Sequence, residues 1–238
     1  MGLSLSSQVL QRRVFKKKFY KLHVKDFMLG QTTRWLSKDK NSIDVGGATG
    51  IYSTHFCKHS KQVYAFEAVP PVHKQLYKLT EQFNNFICQQ AAVSNFEGTS
   101  EFYVDDKRLS NSGFQNLVDG QKIQVPVVTI DSFNYKDVGF IKVDTEGTEL
   151  DVLRGAINTI DKYLPTCMIE CYYKFNKYPI EPTYSFFEER NYNCAYNEKG
   201  KGLVEVKSID EFIQASTSDE MLHVHDGDFI FYQGNIPT

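Results

Sequence analysis

From residue 41 onward the chain alternates short apolar runs with segments of helical period. NSIDV (41–45) reads as a strand ending at a glycine turn, and GIYSTHFCKHS (50–60) as the helix after it. QVYAFEA (62–68) is a second strand. PPVHKQLYKLTEQFN (70–84) opens with prolines suited to a helix start. Its Val72, Leu76, Leu79 and Phe83 then fall on one face. FICQQAAV (86–93) is a third strand, GFIKVD (139–144) a fourth and TCMIEC (166–171) a fifth. Between the third and fourth, GTSEFYVD and KIQVPVVTI read as strands around a polar loop holding LSNSGFQN. Glu149 to Leu164 reads as one helix, with Leu153, Ala156, Ile157, Ile160 and Leu164 on its apolar face. EPTYSFFEERN (181–191) is helical, and CAYNE and DFIFYQ supply the last two strands. Such alternation predicts a mainly parallel sheet with helices on both faces.

The first 40 residues break this pattern. QRRVFKKKFYKLHVK holds seven Lys or Arg and no acid, and its apolar residues are scattered. Residues 1–40 are therefore assigned to a basic, helical amino-terminal extension, and 41–238 to the main domain. The bland role of residues 12–25 is a solvated helix along the body; the sharper one is peripheral contact with anionic lipid. MGLSLS also fits the short acceptor pattern for myristate.

Composition narrows the class. Apolar residues make up 41% and charged residues 24%, as in ordinary globular proteins. A formal net charge of -2 makes nucleic acid an unlikely partner. The five cysteines are odd in number and form no C-x-x-C, which points to free thiols in a reducing compartment, hence the cytoplasm. No apolar run approaches a membrane span, and no secretory signal is visible.

Ligands of such sheets bind beyond the carboxyl ends of the strands. The residues to weigh are thus Asp44 to Gly50, Glu67, Ala91 to Ser94, Asp144 to Gly147, and Glu170 with Tyr172. The glycine turn is not a dinucleotide fingerprint, because the positions after Gly46 that need glycine hold Ala48 and Ile51. It is not a P-loop either, since Ile51 and Tyr52 follow Gly50. A carboxylate in the turn would repel phosphate but attract an ammonium, and Gly46 and Gly50 would let backbone come close to it. Glu67 ends the next strand, 23 residues after Asp44, where a carboxylate can accept from a ribose diol. An amino acid joined to a ribose describes S-adenosyl-L-methionine.

IDVGGATGIYS resembles the first motif of class I methyltransferases, and its tail the form found in the FkbM family. YAFEAVPPVHKQLYKL is similar to that family's second motif and AAVSNFEGTSEFYV to its third region. VPVVTIDSF followed by VGFIKVDTEGTELDVLRGA is similar to its signature segment, the longest and most specific match. The resemblance runs over roughly residues 41 to 172 and continues more weakly to near 232. Gly47 and Ala48 depart from the family's Ala and Asn, and Val69-Pro70 shifts the usual proline after the acid. The resemblance implies a Rossmann-like α/β sandwich with a seven-stranded, mostly parallel sheet whose last strand is antiparallel. It implies methyl transfer from S-adenosyl-L-methionine, usually to a hydroxyl oxygen. It assigns to the cofactor Asp44, Gly46, Gly47, Ala48, Thr49, Gly50, Tyr52 and Ser53 from the first motif. Glu67, Ala68, Ala91, Ala92 and Asp144 complete that set.

Methyl transfer needs acceptor and methyl in line and a destination for the hydroxyl proton. Asp144 is the first candidate for proton acceptance or substrate positioning, with Lys142 steadying it or an oxyanion. Glu146 and Glu149 are expected to cap the following helix. For Asp144 and Glu170 the choice between base and ligand of a divalent metal stays open. His223, His225 and Asp226 precede the last strand, so they are expected at the catalytic rim, where His225 could act as base. Tyr172, Tyr173 and Tyr178 could stack on a sugar ring, and Asn111 to Gly113 could close over the cofactor. The leading expectation is an O-methyltransferase acting on a glycan, a sugar or a glycosylated small molecule. The competing ones are methylation of nucleic acid, which lacks an N/D-P-P-Y element here, and a cofactor-binding partner module without catalysis.

Overall fold

Every residue of β1 (Asn41–Val45) is buried, which identifies it as a central strand. The computed structural model describes residues 27–104, 112–114, 121–171, 179–198, 201–217 and 227–238. β1 is flanked by β2 (Val63–Phe66) and β7 (Val138–Val143), both parallel to it. Beyond β2 lies β3 (Phe86–Gln89), and beyond β7 lies β8 (Thr166–Glu170), again parallel. β11 (Asp228–Tyr232) then inserts antiparallel between β8 and β9 (Asn193–Glu198).

These seven strands stand in the predicted arrangement, with the carboxyl-terminal one antiparallel. The sheet has eight strands, however, because β10 (Gly202–Val206) forms an antiparallel hairpin with β9 and adds an outer edge. A three-stranded sheet stands apart, built from β4 (Ala92–Val93), β6 (Gln121–Val128) and β5 (Gly98–Val104). The run FICQQAAV therefore serves two sheets, β3 in one and β4 in the other, with the chain turning off at Gln90 and Ala91.

Alternation along the central strands separates two cores. Ile43, Val45, Ile141, Val143, Phe229 and Phe231 face one side, with Leu153, Ile160, Phe187 and Phe212 from helices. Ala65, Phe140, Met168, Ile230 and Tyr232 face the other, with Phe56 and Leu76 from helices. On that second side lies α2 (Ile51–His59), and α3 (Pro70–Tyr77) brings Leu76. α1 (Phe27–Thr32) buries Met28 and Leu29, so packed structure begins ahead of residue 40.

The helix expected from 149 to 164 is two helices, α4 (Glu149–Arg154) and α5 (Ile157–Tyr163). The break falls at Gly155, where a Cβ would stand 2.0 Å from the carbonyl oxygen of Ser94. The chain leaving β4 passes so close that only glycine fits. Asp131 then caps α5, accepting from the backbone N–H of Asn158 and of Thr159, each at 2.9 Å, and from the Thr159 hydroxyl. α6 (Glu181–Glu188) covers the first core, and α7 (Ile209–Thr217) packs Phe212 into it. No helix among the described residues is long and apolar enough to cross a membrane.

Candidate active site

Parallel pairing in register sets Asp44 of β1 directly beside Lys142 of β7. Partners in a parallel ladder point to the same face, and so do residues two apart on one strand. Lys142 thus reaches both Asp44 and Asp144. Its ammonium lies 2.9 Å from Asp144 Oδ2 and 4.0 Å from Asp44 Oδ1, and 4.9 Å from the centre of the Tyr52 ring. Asp44 is 0% exposed and Lys142 3%. Burial alone would lower the Lys142 pKa, but Asp144, Asp44 and Asp228 outweigh it and hold it above its ordinary value. Burial raises the Asp44 pKa, against the opposing pull of Lys142 and of Ser53, whose hydroxyl donates to Asp44 Oδ2.

The glycine turn is shaped first by the protein itself. A Cβ on Gly46 would meet the Asp144 carbonyl oxygen at 1.9 Å, so this glycine lets β1 and β7 close on each other. At Gly50, whose φ is +78°, a Cβ would meet Leu79 at 2.3 Å. At both glycines the place of a Cβ is taken by the chain's own atoms. Glu67 fixes the turn from the other side. Its carboxylate accepts from Ala48 N–H at 3.0 Å and from Val69 N–H at 2.8 Å. Burial raises its pKa and these N–H donors oppose the rise.

A cleft open to solvent lies above these strand ends. On the β2 side its wall includes Glu67, Ala68, Ala91 and Ala92. On the β7 side it includes Asp144, Thr145, Glu146 and Thr148, with Gly46 and Ala48 between. Phe102, Ser112 and Phe114, associated with the smaller sheet, complete it. Of the residues assigned by number to cofactor binding or catalysis, seven line the cleft: Gly46, Ala48, Glu67, Ala68, Ala91, Ala92 and Asp144. Asp44, Gly47, Gly50, Tyr52, Ser53 and Lys142 support it from beneath or beside, and Thr49 is exposed. His223, His225, Asp226, Tyr172, Tyr173, Tyr178, Asn111 and the basic segment 12–25 lie outside the described residues.

The turn from β7 into α4 was read only in part. Glu149 pins the turn ahead of the helix and does not cap the helix itself: Oε1 accepts from the N–H of Thr145 and of Gly147, each at 3.0 Å, and from the Thr145 hydroxyl. Glu146 does not share that role but faces the cleft. It sits between those two pinned residues with φ +57°, a left-handed backbone that few non-glycine residues adopt. Carboxylate oxygens of Asp144, Glu146 and Glu170 lie within 4.8 Å of one another. Like charges so close do not all ionise. Burial, then Asp144 and Glu149, push the Glu146 pKa up to about 7, with Lys142 opposing. Burial, then Asp144, Asp228, Glu146 and Glu149, raise that of Glu170 well above its ordinary value. Phe102 and Phe114 carried no site signal in the sequence, because their place in the cleft depends on the second sheet; Glu146 lay within the candidate run 144–147, but its spacing pointed to a helix cap.

Residues 44–197 match the profile of a methyltransferase FkbM domain. Among solved structures, the chain is similar to a methyltransferase FkbM from Methylobacillus flagellatus KT, at 16% identity and a TM-score of 0.54. That alignment covers 82% of this chain but 44% of the other, so the chain spans less than half the length of that protein. A Streptococcus mutans protein in complex with SAH aligns at 13% identity and a TM-score of 0.46, over 85% of this chain and 94% of that one. An rRNA methylase from Streptococcus thermophilus aligns at 12% and 0.45, over 85% and 90%. The first likeness bears on fold alone, and the other two are too distant to bear on function. The sequence has no significant match among curated proteins.

Proposed function

The chain belongs to the FkbM methyltransferase family, and from that premise we propose that it methylates a hydroxyl oxygen of a glycan, a sugar or a glycosylated small molecule. The family carries the methyl donor with it, S-adenosylmethionine, which supplies an already activated methyl on a sulfonium. One observation carries the fit to this chain. Among the described residues, the charged groups lining the cleft are all carboxylates: Glu67 on one side, Asp144 and Glu146 on the other. That donor set opposes a phosphate-bearing cofactor and suits a cation attached to a ribose diol.

Each residue then has a task. Glu67 spends one acceptor site per oxygen on the turn and keeps the remaining lone pairs for the diol. Asp44 and Ser53 brace the turn, and Ala68, Ala91 and Ala92 give the smooth wall that a flat base needs. Asp144, tethered by Lys142, positions the acceptor hydroxyl, and Glu170 adds a carboxyl group from the adjoining strand end. His225 is a second proton acceptor in this proposal. A cytoplasmic location, with residues 12–25 touching anionic membrane, completes the reading. Calorimetric titration with S-adenosylmethionine, followed by a donor-consumption assay over a panel of glycans and glycosides, tests it. Tight donor binding with turnover only on oligonucleotides would favour nucleic-acid methylation. Binding without turnover on any acceptor would favour a partner module.

A further inference from the structure

Resting on the O-methyl transfer reading, we propose that Glu146 is a proton carrier tied to the sulfonium charge, protonated without it and ionised with it. The site would then present its base only when the methyl donor is in place.

The geometry comes first. Glu146 faces the cleft from a turn whose neighbours on both sides are pinned by Glu149. Its left-handed backbone turns the residue away from the helix that begins three positions later. Its nearest carboxyl neighbours, Asp144 and Glu170, have oxygens within 4.8 Å. Asp144 already has a counter-ion in Lys142, at 2.9 Å. Among the described residues, the titratable groups around Glu146 are Asp144 just past β7, Lys142 of β7, Glu149 of α4 and Glu170 of β8. Asp228 of β11 acts through Glu170. Burial first, then the charges of Asp144 and Glu149, let Glu146 hold a proton near neutral pH against the pull of Lys142, and Glu170, raised well above its ordinary value, holds one as well.

A cation entering the same cleft reverses that balance. Glu146 then releases its proton and stands ionised beside the acceptor. During transfer the acceptor oxygen's lone pair forms the O–CH₃ bond, and the C–S bond breaks with its electron pair going to sulfur. The hydroxyl proton passes to Glu146. A cation and a carboxylate thereby become a neutral thioether and a neutral carboxylic acid. The free enzyme and the product complex hold Glu146 in the same protonation state, so product leaves without a stranded charge.

The test needs no acceptor. S-adenosylmethionine and SAH differ by the sulfonium charge, so the full-length protein is titrated with each from pH 5.5 to 8, in two buffers of different ionisation enthalpy. The expected result is release of about half a proton on donor binding near pH 6.5. Donor affinity should rise about 5- to 10-fold across the range, while that of SAH changes less than about twofold. Glu146→Gln should abolish the release and flatten the pH dependence while still binding SAH, which also reports that the variant is folded. Glu146→Asp should retain both. Donor binding without proton release, or release that persists in Glu146→Gln, would overturn the proposal. If neither compound binds the wild-type protein at any pH, the methyltransferase reading itself fails.

Discussion

Replacing Lys142 with Met removes the one ammonium between two carboxylates while keeping most of the side chain's volume. Lys142 is 3% exposed, and its partner Asp44 is 0% exposed. Among the described residues Asp44 Oδ1 has no hydrogen-bond partner, and Lys142 at 4.0 Å compensates its charge. Breaking a buried pair from one side strands the other charge and typically costs about 3–5 kcal/mol. At about 2–4 °C per kcal/mol for a chain of this size, the melting temperature should fall by roughly 6–20 °C. The sign with pH follows from the direction of each shift. Lys142 is held above its unfolded pKa, so its contribution is present at all pH values below that pKa and fades only in strong alkali. Asp44 is raised by burial, so its ionised form costs stability above its folded pKa, and that cost fades as pH falls through it. Lys142→Met should raise Asp44 further and widen the window in which acid helps. The deficit against wild type, measured by urea denaturation followed by circular dichroism, should therefore shrink from pH 7 to pH 5. Lys142→Met/Asp44→Asn should recover at least about 1.5 kcal/mol of the single-variant loss, since the two sites are coupled. A loss below about 1 kcal/mol, or strict additivity in the double variant, would refute a buried charge balance at this position.

Other outcomes follow from single contacts. Glu67→Ala should weaken S-adenosylmethionine binding by roughly 1.5–3 kcal/mol per lost charge-assisted hydrogen bond, read by calorimetry. An unchanged affinity would place the ribose elsewhere. Gly46→Ala should cost upward of about 3 kcal/mol, or prevent folding, because backbone atoms rather than a flexible side-chain tip meet the new methyl. Wild-type melting would show that β1 and β7 can part at that point. Asp131→Ala should cost about 1–2 kcal/mol by uncapping α5, checked by thermal melting, with donor affinity unchanged.

Residues 41 to 71 show how much of this molecule is local. The apolar run, the glycine turn, the helix and the next strand follow from period and turn chemistry, and they lie where expected. The acids Asp44, Glu67 and Asp144 were legible as site candidates because a strand's carboxyl end is a position readable along one dimension. Glu67 and Asp144 do face the cleft. Long-range geometry decided the rest. That Lys142 meets Asp44 depends on the pairing register of β1 with β7, between residues 98 positions apart in sequence. That Gly46 and Gly155 tolerate no Cβ depends on which segment passes within 2 Å, and no local pattern encodes a neighbour. FICQQAAV looks like one strand because both halves are apolar, yet its halves join different sheets. β10 is a partly exposed edge strand defined by its partner more than by its own burial. Glu146 looked like a helix-capping acid from its spacing. The left-handed turn, pinned by Glu149, places it at the cleft, where burial, then Asp144 and Glu149, raise its pKa. Periodicity along the chain specifies what each element is; only the packing of elements against one another specifies which charges share a space and must balance.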